Sequence, residues 1–108
     1  MNLKRMLKDL GVPDHEYVLA TLGNDKVISL TNMMLRYVDL PINVTVWKAY
    51  YGIDCASVTS ERLGKRFLPP LTGDQVREIR KETLKLLRHP ARFKDLNDAI
   101  KALTPKPP

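Results

Sequence analysis

A chain of 108 residues, 44% hydrophobic and 28% charged, is long enough for one packed domain and too apolar to remain disordered. Eighteen Lys and Arg against twelve Asp and Glu give a formal charge of +6, and the excess is one-sided: residues 1–54 carry six of each sign, residues 55–108 twelve cations against six acids. The single cysteine, Cys55, excludes an intrachain disulfide and a thiolate metal cluster, and no apolar run approaches the ~18 residues of a spanning helix.

Residues 2–10 place Leu3, Met6, Leu7 and Leu10 at i, i+3, i+4 and i+7, one apolar helical stripe that Gly11 ends. Charges interrupt this amino terminus every few residues, so it has no signal-peptide core. With a lone cysteine, expected as a small buried thiol, the pattern fits a reduced protein of the cytoplasm or nucleoid.

Residues 13–30 support two readings. Pro13-Asp14-His15-Glu16 starts a helix over 14–22 with Gly23 as its stop. The rival is a β-hairpin near residues 17–30, with Gly23-Asn24-Asp25 as its loop. Thr31 then caps a helix to Val38, which Pro41 closes off. Residues 42–51 are β-branched at first, but Asn43 as a cap and a Trp47–Tyr51 pair at i, i+4 favour a short helix. Trp47, Tyr50 and Tyr51 offer rings for stacking unpaired bases, but at helical spacing they read, with Met33 and Met34, as core residues.

The second half is more explicit. Ser57 or Thr59 caps a helix with Leu63 and Phe67 on one face and a Glu61–Lys65 pair, and Pro69-Pro70 breaks it. Thr72-Gly73-Asp74-Gln75 is a capping box flanked by a Leu71/Val76 staple, opening a helix to about Arg88. His89-Pro90 starts the last helix, whose stripe is Phe93, Leu96, Ile100 and Leu103, expected antiparallel to its predecessor. The fold expected is mainly α: one compact helical domain over 1–104 with about five to six short helices, and a flexible proline-rich tail at 105–108.

Within 73–88, Val76, Ile79, Thr83, Leu86 and Leu87 form the inward arc. Arg77, Arg80, Lys81, Lys85 and Arg88 are assigned to a roughly opposite arc, with Lys65 and Arg66 before them and Arg92 and Lys94 after. A one-signed helix face can track backbone phosphates, and each neutralised phosphate releases counterions. Any amphipathic helix also needs a solvated face, so this ridge alone does not settle a ligand.

Two segments have helix-turn-helix cadence. One runs from Leu30 to Tyr51 and would offer Asn43, Thr45 and Lys48 to base edges. The other joins 56–68 to 72–88 and would offer Ser57, Thr59, Ser60 and Arg62. Two distant histidines, His15 and His89, assemble no nucleophile–base set or metal site, so neither enzyme activity nor a cofactor is expected. These features favour a small non-catalytic nucleic-acid-binding protein, duplex DNA before RNA, with a homodimer formed through the N-terminal helix as one arrangement. The alternative is a protein-interaction module that buries Leu3, Met6, Leu7, Leu10 and the Met33/Met34/Trp47/Tyr51 set against a partner, with no membrane role.

Overall fold

Local start and stop signals divide the chain into α1 (Leu3–Leu10), α2 (His15–Leu22), α3 (Asn24–Leu35), α4 (Pro41–Tyr51), α5 (Ser60–Gly64), α6 (Gly73–Leu87) and α7 (Pro90–Leu103). The structure is a computed structural model and describes residues 2–53 and 56–104, among which there is no strand. The expectations for Cys55 and for the tail at 105–108 lie outside the described residues.

Helix α1 ends as its sequence dictates. Gly11 takes a left-handed φ of 81°, and the N–H groups of Gly11 and Val12 bond to the Lys8 and Leu7 carbonyls at 3.0 Å each. Leu3, Met6, Leu7 and Leu10 are all buried in the protein's own core. The apolar face assigned above to a partner or a second copy is therefore not available to either.

The hairpin does not form. Gly23, at φ 80° and ψ 166°, is a one-residue joint between α2 and α3. Val27, Thr31, Met34 and Leu35 are buried at i, i+4, i+7 and i+8, a helical period that runs straight through the expected break at Leu30-Thr31. Thr31 is not a cap: its hydroxyl donates to the Val27 carbonyl at 2.9 Å, in mid-helix. The helix stops at Leu35, before the expected Val38. The described residues form seven helices, against the five to six expected.

Pro41 opens α4, because a first-turn position needs no N–H donor. Asn43 lies inside the helix, 2% exposed, and does not cap it. Helix α4 is buried on two sides and connects two apolar clusters. Trp47 and Tyr51 sit in the first, with α1, α2, α3, Leu87 and the α7 residues Leu96 and Ile100. Val46 and Ala49 sit in the second, with Leu63 and Val76. Phe67, expected on a helix face, lies beyond α5 and packs against this second cluster with Leu71.

Thr59, not Ser57, caps α5, accepting the Arg62 N–H at 3.3 Å. The capping box of α6 is complete: Gln75 N–H donates to Thr72 Oγ1 at 3.1 Å and Thr72 N–H to Gln75 Oε1 at 2.8 Å. His89 precedes Pro90 at the start of α7, and its Nδ1 accepts the Ala91 N–H at 3.4 Å. Helix α7 does not fold back along α6; it packs on α3, where Leu96 and Ile100 close an apolar void of about 10 Å³ with Leu7, Val27 and Met34. A space that small and apolar holds no ligand.

Candidate nucleic-acid interface

The cationic ridge assigned to α6 is interrupted by the protein's own groups. Arg77 donates to Asp74 at 2.6 Å and to Glu61 at 2.8 Å. These bonds hold both carboxyls below their ordinary range and push the guanidinium further up. Glu61 thus pairs across to α6 instead of with Lys65. The Arg77 charge is already neutralised at the surface.

Arg80 follows Val76 by four residues, which places it only about 40° from the buried direction. Its side chain is 16% exposed and belongs to a polar cluster under the helix. Nη1 donates to the Tyr51 hydroxyl at 3.2 Å, and that hydroxyl donates to Asp9 Oδ2 at 2.6 Å. Burial first, and the Asp9 bond second, push the Tyr51 hydroxyl pKa up, so it stays a donor. The Tyr50 ring lies 4.8 Å from the Arg80 guanidinium and 5.5 Å from that of Arg5, which also donates to the Tyr50 hydroxyl at 3.1 Å. Nothing local in the sequence announces this cluster, because its members come from α1, α4 and α6.

Arg92 is also engaged. It donates to the Leu86 carbonyl at 3.0 Å near the end of α6 and lies 5.9 Å from the Tyr37 ring. Lys81 stands 3.7 Å from Glu78, both well exposed, which is a weak pair in water. Lys85 and Arg88 are exposed and have no carboxylate partner among the described residues. With Lys81 and Leu84 they line a shallow concavity on the outer side of α6.

A second cationic surface surrounds α5. Arg62, Lys65 and Arg66 are all exposed, and none has a carboxylate partner among the described residues. Arg66 also lines an open groove of about 390 Å³ with Thr45, Lys48, Ala49, Leu63 and Phe67. The structure thus joins residues from the two helix-turn-helix candidates in one groove, although neither candidate has the expected form. Helix α4, the supposed reading helix of the first, is buried on two sides, and Asn43 is inside. Helix α5, the first helix of the second, is five residues long. Its Gly64 leaves no room for a Cβ against the Leu71 carbonyl, so the following loop lies directly on it. Ser57 is exposed, the Thr59 hydroxyl is occupied as a cap, and Ser60 is buried.

Comparison with protein-family models, curated proteins and solved structures finds no match.

The aromatic residues offer little stacking surface. Trp47 and Tyr51 are fully buried with ring centroids 4.7 Å apart, and Tyr50 is held by the two arginines. Among the described residues no three His, Cys, Asp or Glu converge as a metal site, and no helix is long and apolar enough to cross a membrane. One exposed feature escaped the sequence reading: Leu68, between the basic pair Lys65-Arg66 and Pro69-Pro70. The apolar residue beside two prolines was the signal that was there to be read.

Proposed function

We propose that this is a non-catalytic nucleic-acid-binding protein that engages duplex DNA through backbone phosphates, in a regulatory or accessory role in the cytoplasm or nucleoid. The observation that carries the reading is the trio Arg62, Lys65 and Arg66: three exposed cations within five residues, none of them with a carboxylate partner among the described residues. Lys81, Lys85 and Arg88 supply further phosphate contacts from α6. Arg77, Arg80 and Arg92 stay with their internal partners. Contacts of this kind fix position and carry no sequence information by themselves. Readout falls to Thr45 and Lys48 in the groove that Arg66 lines. Titration of a labelled random-sequence duplex at two salt concentrations tests the reading. Binding that weakens steeply with salt is expected, and absence of binding at low salt refutes it.

A protein partner is favoured by one separate observation. Tyr37, Leu40 and Ile42 are exposed together around the α3–α4 turn. Replacing Leu40 and Ile42 by Ser should abolish partner binding, and leave duplex binding intact, if that corner is an interface.

A further inference from the structure

Most large apolar side chains left at this surface are only half exposed, between 38% and 50%; Leu68 is 95% exposed. Its exposure does not come from a slack loop. The Arg66 N–H bonds to the Leu63 carbonyl at 3.0 Å, and Phe67 and Leu71 both donate to the Gly64 carbonyl, at 3.3 and 2.9 Å. Phe67 and Leu71 are anchored against the second core cluster on either side of the tip. Between them stand Leu68, Pro69 and Pro70, all exposed. The two prolines have no N–H to satisfy and a fixed φ, which stiffens the tip.

The surroundings of the tip are cationic. Lys65 and Arg66 precede it and have no carboxylate partner among the described residues, while Asp74 beyond it is held by Arg77. A stiff apolar projection with positive charge at its base has the chemistry of a side chain that enters a base step. Leucine and proline serve as such wedges, partly unstacking adjacent base pairs and kinking the duplex, while cations hold the flanking phosphates. An apolar anchor for a protein would more commonly sit in an apolar field than beside exposed cations.

We propose that Leu68, backed by Pro69 and Pro70, is a wedge that inserts between stacked base pairs of a duplex while Lys65 and Arg66 clamp the adjacent phosphates. This rests on the nucleic-acid reading above and adds a deformation of the DNA to it. Steps that unstack easily, pyrimidine–purine above all, are then the preferred sites, giving selectivity without hydrogen bonds to base edges.

The test uses the full chain and a duplex with 2-aminopurine at a TA step and a donor–acceptor dye pair at its ends. Wild-type protein should raise 2-aminopurine fluorescence about twofold or more and shorten the end-to-end distance. Leu68→Ala removes a side chain with almost no internal contacts, so the fold should survive. That variant should bind within about tenfold of wild type, with the same salt dependence, and produce neither signal. Leu68→Met should restore both. Wild-type binding without unstacking or bending overturns the wedge and leaves the phosphate reading standing, and is the outcome expected of a protein-docking anchor. Leu68→Ala that still unstacks also overturns it. No duplex binding at low salt overturns both readings.

Discussion

Replacing Arg62, Lys65 and Arg66 together by Ala removes three exposed cations that have no carboxylate partner among the described residues. At about 0.9 counterions per phosphate, three lost contacts reduce the steepness of log K against log salt by about 2.7. Between 50 and 200 mM salt a slope of that size alone weakens binding by about 40-fold, a difference that fluorescence anisotropy of a labelled random-sequence duplex resolves easily. Arg77→Ala is the control. Its charge is already matched by Asp74 and Glu61, so it should leave the slope unchanged, although sequence reasoning put it on the same ridge. An unchanged slope in the triple variant, or a drop of about 0.9 in Arg77→Ala, would refute the division of the cations argued here.

Releasing Arg77 from its partners should have the opposite effect: Glu61→Gln with Asp74→Asn is expected to steepen the slope by about 0.9 in the same titration, as one more cation becomes available. The Asp74 and Glu61 carboxyls lie below their ordinary values of 3.8 and 4.5, so their pairing stabilises the fold at neutral pH and is lost as pH falls through the depressed folded values. Urea unfolding should therefore find wild type more stable than Arg77→Ala near neutrality, with the gap closing on acidification below those ordinary values; a gap that widens there would contradict the assignment. In the core, Trp47→Ala removes a fully buried ring shared with Tyr51 and should cost about 3–5 kcal/mol in urea unfolding. Thr72→Ala breaks the capping box and should cost only about 1 kcal/mol.

What could be read from the sequence was what is encoded locally. The Thr72–Gln75 capping box, Pro90 at the first position of α7 and Gly11 after α1 each act within a few residues, and each forms as expected. Gly23 ends α2 as the helical reading of 14–22 expects, but the helix that follows it at once was hidden, because residues 26–30 also suit a strand and only the burial of Val27, Thr31 and Met34 decides between them. Helix α4 shows weak amphipathic contrast because two clusters cover it from different sides, and this also made Asn43 look like a cap.

The candidate site was legible in composition more than in detail. The positive excess of the second half was evident, and Lys65, Arg66, Lys85 and Arg88 are displayed as expected. Arg80 was misplaced because its four-residue offset from Val76 returns it to the inward side, and Asp9 and Tyr51, distant in sequence, capture it there. The neutralisation of Arg77 depends on Glu61 in another helix, a contact set by how α5 packs on α6.

Mapping NMR shift perturbations on the isotope-labelled protein as duplex DNA is added shows whether the α5 cations and Leu68 meet the nucleic acid. Perturbations are expected to concentrate at Arg62, Lys65, Arg66 and Leu68 and to extend to Lys85 and Arg88, with the Arg80 and Tyr51 signals unmoved. Absence of perturbation at low salt, or perturbation confined to Tyr37, Leu40 and Ile42, would contradict this placement of the duplex.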